Sequence, residues 1–242
     1  IINNDYSILD NEYRNPQDIL FTLNDSSLTA TVGDGSTNPN NSGYVGTGGD
    51  ILLPATVTKD GKTYRVISIG QYAFYQNQFL NKLTLGANIE SLGTSSFSSC
   101  KNFVEFAVSS DNFRYSTIDG ILYDHEQMYL YSCPSGKELE SFTPKVSVKT
   151  IGSKAFDSCN KINKLVIPET ISVIGIGAFS GMSSLTEITL PFMGGYLGSS
   201  DRFSFVFGGS SSNYVPQSLR KVVITNISII PDNAFNGCID LV

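Results

Sequence analysis

The sequence predicts an α/β fold, rich in β-strand, in which short repeated units stack into a solenoid. Three observations indicate this class: one motif occurs five times, two pairs of neighbouring copies are 23 residues apart, and short alternations of aliphatic and polar residues follow the copies. A unit of this length cannot bury its apolar face alone, whereas stacked units share one continuous core.

The repeated motif consists of an aliphatic residue, two variable residues, an aliphatic residue, Gly, two variable residues, a small residue and Phe. It occurs at 66–74, 89–97, 148–156, 171–179 and 227–235, named repeats 1 to 5 in this order. The glycine column is Gly70, Gly93, Gly152 and Gly175, with Pro231 in repeat 5. We expect each glycine to relieve a backbone corner.

A short strand is predicted after each motif. It is clearest at 162–168 and 185–191, where alternating aliphatic residues indicate a strand with one buried face. Phe97 and Phe156, and likewise Phe179 and Phe235, are separated by more than one repeat length. Two long inserts are therefore predicted, near 109–147 and 192–218.

This pattern resembles the BspA-like class of leucine-rich repeats, found in surface proteins of anaerobic bacteria and some parasitic protists. The resemblance covers about residues 51–242 and extends to both inserts. It implies a right-handed leucine-rich-repeat superhelix with one parallel sheet on its concave side and short helical turns on its convex side. The sequence departs from the pattern at Pro231, at Ser96 in the small-residue column, and at Asn77 and Met182, which stand where other repeats have Cys.

Two regions are predicted. Residues 1–48 lack the motif and are interpreted as an N-terminal cap with a β-hairpin that turns near 24–27, followed by a Gly- and Ser-rich loop. Residues 49–242 form the repeat region, which includes a hairpin turn at 59–62. The chain begins without the pattern of a signal peptide and stops where another strand should start, so we expect a truncated C-terminal end.

The composition disfavours several functions. Sixteen Lys and Arg against 22 Asp and Glu give a net charge of −6, which argues against nucleic acid as a partner, because that affinity comes largely from clustered cations. No run of 18 apolar residues occurs, so we expect no membrane insertion by this chain. With one His and four Cys, we predict no metal and no cofactor.

The few reactive side chains are interpreted as structural. His125 is expected at a hairpin tip in the first insert, although with the acids beside it it could contact a metal. Cys100, Cys159 and Cys238 share one column of the repeat, which predicts buried thiols in repeats too far apart for a disulfide. Cys133 lies in the first insert and has no evident partner.

A column of charges is the first candidate for a binding face. The third position of the strand halves reads Lys82, Glu105, Lys164, Glu187 and Lys221. Opposite charges on paired strands stabilise the pairing by roughly 0.2–1 kcal/mol, so one interpretation is that the column only stabilises the stack. The other is a ligand-binding surface, because solenoids use extended concave faces for partners.

Aromatic residues of the second insert are another candidate. Tyr196, Phe203 and Phe205 lie in a Gly- and Ser-rich context, with Phe207 and Tyr214 nearby. We expect part of this set to pack on the repeats, and any ring that stays exposed to serve as an anchor for a protein or a sugar.

Two functions follow as hypotheses. The first is a non-catalytic, adhesin-like binding module, extracellular or on the cell surface, that recognises a protein or glycan of a host or neighbouring cell. The second is a structural spacer that presents another domain of a larger surface protein. An enzyme ranks third and would need a pocket with perturbed acids.

Overall fold

A computed structural model describes residues 12–15, 17–33, 49–199, 202–209, 214–227, 230, 232–235, 238 and 241. This part of the chain forms a β-rich structure whose one helix is a short 3₁₀ helix, Phe203–Phe207. The strands are β1 Glu12–Arg14, β2 Leu20–Asn24, β3 Thr29–Val32, β4 Asp50–Leu52, β5 Thr56–Lys59, β6 Lys62–Ile69, β7 Lys82–Leu85, β8 Ser91–Leu92, β9 Glu105–Val108, β10 Tyr115–Ile118, β11 Ile121–Asp124, β12 Tyr129–Ser132, β13 Ser141–Phe142, β14 Thr150–Ile151, β15 Lys164–Val166, β16 Val173–Ile174, β17 Glu187–Leu190 and β18 Lys221–Ile224. Pro231 and residues 34–48 of the predicted loop lie outside the described residues.

Successive repeats pair through parallel strands of two kinds. Strands from the halves after each Phe pair in the orders β4–β7–β9 and β13–β15–β17–β18. Strands just before the motif glycines pair as β6–β8 and as β14–β16, and β12 of the first predicted insert pairs in parallel with β14. In both kinds, equivalent residues of consecutive repeats stand side by side, as in the pairs Lys82–Glu105 and Thr150–Val173.

Aliphatic and aromatic columns fill the space between these strands. The motif rings of neighbouring repeats pack on one another, with centroids 5.8 Å apart for Phe74 and Phe97 and 5.9 Å apart for Phe156 and Phe179. Phe74, Phe156 and Phe179 are fully buried and Phe97 is partly buried. Burial of one such ring contributes about 1.5–3 kcal/mol, so this column is a main source of cohesion between repeats.

The predicted helical turns are tight, non-helical turns. In repeat 1, the amides of Ala73 and Tyr75 donate to the carbonyls three residues before them, but Tyr72 and Gln76 have left-handed φ values of 58° and 55°. An α-helix cannot continue through such residues, so each turn closes separately. The equivalent left-handed pairs in the next three repeats are Ser95 and Ser99, Lys154 and Ser158, and Gly177 and Gly181.

The glycine column has a different role from the one predicted. Gly93 and Gly175 do not have left-handed φ values, so they relieve no backbone corner. They are needed because the preceding repeat is too close for a side chain: a Cβ on Gly93 would lie 2.6 Å from Cα of Gln71, and one on Gly175 would lie 2.7 Å from Cα of Ser153.

The parallel face consists of two sheets in the described residues, where a single sheet is predicted. β9 ends the first sheet, because the amide of Phe106 donates to the carbonyl of Gly120, at the turn between β10 and β11 (2.9 Å). Parallel pairing resumes at β13. The antiparallel strands β10, β11 and β12 of the first predicted insert therefore separate the two sheets.

A buried asparagine attaches this insert to repeat 2. The Nδ2 group of Asn112 donates to the carbonyls of Gly86 (2.8 Å) and Ile89 (3.0 Å), and its Oδ1 accepts the amides of Arg114 (2.8 Å) and Tyr115 (2.9 Å). All four hydrogen-bonding positions of the side-chain amide are occupied. This part of the insert thus lies against the repeats and does not project.

The predicted N-terminal hairpin is present as β2 and β3, although Leu28 lies in its turn and not in a strand. β3 pairs in parallel with β6, the first strand of repeat 1. The hairpin turn predicted at 59–62 is confirmed by the antiparallel pair of Lys59 and Lys62. The capping role of residues 1–48 stays a prediction.

Candidate ligand-binding face

The charged column forms rows of side chains on the outer face of the parallel strands. Strand alternation buries Leu83 and Phe106 and leaves Lys82 and Glu105 at the surface. Lys82 faces Glu105 in register, and their Nζ and Oε1 atoms are 2.5 Å apart. The predicted pairing across these strands is confirmed, whereas a binding role for the column stays a prediction.

The second sheet repeats this arrangement. Lys164, Glu187 and Lys221 stand side by side on β15, β17 and β18. Nζ of Lys164 lies 3.3 Å from Oε2 of Glu187, and Nζ of Lys221 lies 3.8 Å from the same oxygen. Glu187 therefore forms ion pairs with both lysines. All three side chains are between 39% and 58% exposed.

Sequence reasoning missed one member of the first row. Asp50 on β4 faces Lys82 in register and accepts a hydrogen bond from Nδ2 of Asn81 (2.8 Å). Its signal in the sequence is that Asp50 stands directly before 51–54, as Lys164 stands directly before the matching residues 165–168. The first sheet therefore carries Asp50, Lys82 and Glu105 side by side, and the second carries Lys164, Glu187 and Lys221. These six residues are named here the charge row. Within each sheet, the sign of the charge changes from one strand to the next.

The charge on Lys82 is held by its neighbours. The side-chain hydrogen bond to Glu105 raises the pKa of Lys82 above its ordinary value, and the negative charges of Glu105 and Asp50 act in the same direction. Lys82 is protonated at neutral pH even without this shift, which extends the charged range of this part of the row towards higher pH.

An uncharged column runs beside the charge row. Leu52, Thr84 and Ala107 stand side by side on the first sheet, and Val166, Thr189 and Val223 on the second. Leu52 is 57% exposed and Val223 is 39% exposed. The face thus combines fixed charges with small and aliphatic side chains, a mixture that a protein or glycan surface can contact.

The aromatic candidates separate by burial. Phe203 is fully buried, against Phe207 and Phe235, and so offers no surface to a ligand; its candidacy is wrong because it fills the core. Phe205 is partly buried and packs against the same core. Tyr196 is 56% exposed and offers more surface for an anchor than Phe203 or Phe205.

The reactive residues fit structural roles. His125 is exposed in the turn between β11 and β12, so its predicted hairpin-tip position is confirmed. Cys100, Cys133 and Cys159 are buried free thiols, whereas Cys238 is only partly buried. Cys133 is a free thiol, and its main-chain carbonyl accepts a hydrogen bond from Sγ of Cys159 (3.5 Å).

Thiol acidity is weak at two of these cysteines. Burial raises the pKa of Cys100 to about 12. The contact with Cys133 and burial both raise the pKa of Cys159. Within the described ranges, no cluster of three or more His, Cys, Asp or Glu is arranged to hold a metal ion, and no helix has the length and hydropathy required to cross a bilayer.

Strand, glycine turn and buried Phe recur in register from repeat to repeat, and this recurrence defines a leucine-rich-repeat protein. The chain belongs to the BspA type leucine-rich repeat family, whose sequence model matches six copies over residues 62–121 and 126–242. The resemblance drawn from the motif is therefore confirmed.

Solved structures similar to this chain come from several bacteria. A leucine-rich repeat protein from Eubacterium ventriosum ATCC 27560 is 17% identical, with 92% of this chain and 81% of that chain covered and a TM-score of 0.52. A leucine rich cell surface protein from Faecalibacterium prausnitzii A2-165 is 17% identical (96% and 93% covered, TM-score 0.44), as is the pneumococcal vaccine antigen PcpA (93% and 84%, TM-score 0.42). The Eubacterium structure shows the shared leucine-rich-repeat fold. No curated protein matches the sequence.

Proposed function

We propose that this chain is a non-catalytic, adhesin-like binding module that recognises a protein or glycan of a host or neighbouring cell. The observation that carries the proposal is the charge row. It sets six exposed charges of alternating sign in register on parallel strands, beside an uncharged column. Repeat proteins commonly bind partners on extended faces of this kind.

Several features support a non-catalytic role. The raised thiol pKa values of Cys100 and Cys159 are opposite to those of nucleophilic cysteines, whose pKa values are lowered. His125 lies exposed in a hairpin turn. Family membership points the same way, since the chain belongs to the BspA type leucine-rich repeat family and repeat proteins of this kind bind partners on extended faces.

The proposed setting is the cell surface or the extracellular space. The Faecalibacterium relative is described as a cell surface protein, and we extend that location to this chain. We also propose that the paired strands wind as a right-handed solenoid with the charge row on its concave side. Such a curve would bring both parts of the row towards one ligand.

The experiment is a binding screen against immobilised extracellular-matrix proteins and glycans at low and high salt. Because Glu187 contacts both Lys164 and Lys221, the test variant reverses all three: Lys164→Glu, Glu187→Lys and Lys221→Glu. This triple variant keeps every ion pair and inverts their order. Stability is expected to be preserved, since exposed pairs contribute only about 0.2–1 kcal/mol each.

The matched control reverses an exposed ion pair outside the row. Arg65 and Glu90 form such a pair, with Nη2 and Oε1 3.2 Å apart. We expect a saturable ligand whose affinity falls about tenfold or more in the triple variant and is unchanged in Arg65→Glu, Glu90→Arg. A ligand that binds the triple variant as tightly as it binds wild type would contradict recognition by the charge row.

A structural spacer is the second candidate, and the ion pairs themselves favour it. Lys82 with Glu105 and Lys164 with Glu187 already satisfy one another, as expected of charges that only hold repeats together. If no matrix protein or glycan binds while the triple variant keeps wild-type stability, the spacer becomes the better explanation.

A further inference from the structure

Neighbouring repeats are joined by a regular set of hydrogen bonds between their turns. In repeat 1, the amides of Tyr72, Phe74 and Gln76 donate to carbonyls of repeat 2, at 3.3, 2.8 and 2.9 Å. In repeat 3, the amides of Phe156 and Ser158 donate to carbonyls of repeat 4, at 2.7 and 2.8 Å. In these turns, every second amide therefore donates a hydrogen bond to the next repeat.

Among the residues that the structure describes, repeat 2 differs from the turns of repeats 1, 3 and 4 in leaving both of its corresponding amides open, whereas repeat 3 leaves open that of Lys154 but pairs that of Phe156. The equivalent amides are those of Ser95 and Phe97, and within the described part of the chain neither has an acceptor. The polypeptide that should lie next to them is the end of β12, and a cleft of about 200 Å³ separates the two. Backbone donors that line a cleft without an acceptor from the chain are available to bind water or a ligand.

The cleft has a defined shape. Residues 92–98 form one wall, and residues 131–133 and 152–154 form the other, together with Tyr129. The rings of Tyr129 and Tyr131 contact each other, with centroids 4.4 Å apart. One end is closed, because the hydroxyl oxygens of Ser99 and Ser158 are 3.5 Å apart.

The corresponding turn of repeat 4 shows what kind of segment can bind these amides. In repeat 4, the equivalent amides of Gly177 and Phe179 donate to the carbonyls of Phe205 (3.0 Å) and Val206 (2.8 Å). These acceptors belong to the 3₁₀ helix, which is not part of a repeat. A polypeptide segment from outside the repeat stack therefore satisfies the same two donors that repeat 2 leaves open.

We propose that the cleft binds a short segment of a partner polypeptide, whose main-chain carbonyls accept hydrogen bonds from the amides of Ser95 and Phe97. The exposed wall offers donors two residues apart. In repeat 1 such donors meet the alternate carbonyls of Thr94, Ser96 and Ser98. In repeat 4 they meet the consecutive carbonyls of Phe205 and Val206. An extended segment would pair as in repeat 1, by main-chain pairing of the kind used in strand addition. The tyrosine rings of the other wall contact its side chains. The cleft is smaller than the ~300–1,000 Å³ of typical small-molecule sites, as expected if only a few residues enter it.

The test begins with random heptapeptides displayed on phage and selected on the immobilised chain. Enriched peptides are synthesised with capped ends, and amide hydrogen exchange is measured with and without them. Without peptide, the amides of Ser95 and Phe97 should exchange faster than those of Phe74 and Phe156, which are hydrogen-bonded. Bound peptide should slow Ser95 and Phe97 by about tenfold or more and leave the other two unchanged.

Two tryptophan variants locate the site. Thr94→Trp places an indole at the cleft, and Ile176→Trp places the same ring at the equivalent position of repeat 4, where the native side chain is 50% exposed. We expect the first to lower peptide affinity about tenfold or more and the second to leave it unchanged. If Thr94→Trp does not fold, Ser132→Phe blocks the cleft from its other wall.

Three results would overturn the proposal: no heptapeptide is enriched, selected peptides bind the blocked variant as tightly as wild type, or they bind without slowing the two amides. The proposal is independent of the charge row. The triple variant Lys164→Glu, Glu187→Lys, Lys221→Glu should therefore bind the peptides normally, and its failure to bind a matrix ligand would not affect this site.

Discussion

Gly93 lies against the backbone of Gln71 in the preceding repeat, with no space between them for a side chain. A Cβ at Gly93 would lie 2.6 Å from Cα of Gln71, well inside van der Waals contact. Gly175 stands in the same relationship to Ser153, two repeats later. Neighbouring repeats can therefore approach this closely at the corner only because glycine has a hydrogen atom in place of a side chain.

Gly93→Ala should consequently destabilise the chain by about 3 kcal/mol, at the upper end for overpacking, because the obstructing atoms belong to backbone and cannot swing away. Gly61→Ala is the control, since a Cβ there meets nothing within 4 Å and only the left-handed φ of +76° is strained. The control should cost about 1–2 kcal/mol. Urea unfolding of both variants gives the comparison, and equal losses would refute the close-approach argument.

At position 77, Asn should stabilise the folded protein more than Cys, the residue that other repeats have at the equivalent position. Its Oδ1 accepts the amides of Phe79 and Leu80, both at 2.8 Å, and a thiol cannot accept both bonds with comparable strength. Asn77→Cys should cost about 1–3 kcal/mol in thermal or urea unfolding. Asn88→Cys, which removes one exposed bond to the carbonyl of Ala55, should cost clearly less; the reverse order would contradict the assignment.

Asn112→Ala should loosen the first insert. The variant removes the hydrogen bonds to the carbonyls of Gly86 and Ile89 and from two amides of the insert. The Gly86 carbonyl keeps a second donor, the amide of Ile89, and we expect a loss of about 3 kcal/mol from the other groups. Limited proteolysis should then cut near residues 112–118 faster than in wild type. Asn102→Ala, which removes one exposed bond to Gln78, is the matched control, and equal cleavage of both variants would disprove the tether.

Cys100 should make the protein less stable in alkali. Burial raises the pKa of its thiol from 9.0 to about 12, so above pH 9 the unfolded chain loses this proton before the folded chain does. The unfolded state then binds fewer protons, and the free energy of unfolding falls with pH up to about pH 12.

Up to about 1.4 kcal/mol per pH unit is expected from this one group. Cys100→Ala should remove that share of the slope when urea unfolding is measured between pH 8 and 11. Burial also raises the pKa values of Tyr115 and Tyr123, so a residual slope of the same sign should remain. Identical slopes in wild type and variant would rule out the thiol as the cause.

Side-chain columns were predictable from the sequence, because an apolar or charged side chain at a fixed interval is visible in the residue names. The buried Phe74, Phe156 and Phe179 and the facing pair Lys82 and Glu105 follow from this. Features made by backbone atoms were not predictable. Nothing about Ser95 as a residue type signals its left-handed φ of 56°, so the tight turns were expected as helical turns.

The open cleft escaped prediction for a related reason. It arises because β12 does not reach the amides of repeat 2, and the distance between two backbone segments has no signature in their side chains. Asp50 was missed because the repeat motif was aligned on its aliphatic residues, one position further along. In both cases the repeat pattern itself was correct. What it missed lies at the edges of the repeats, where contacts with segments outside the pattern decide the structure.

The alternation in the charge row has a consequence for how far its field extends. Asp50, Glu105 and Glu187 balance three lysines, so the row carries no net charge, and neighbouring strands about 4.8 Å apart reverse its sign. From a distance greater than a strand spacing the contributions cancel, and ionic strength weakens what remains. The row therefore cannot draw a ligand in from solution. For the partner proposed above, a charge pattern aligned with the row meets only opposite charges, and a shift by one strand turns every attraction into repulsion.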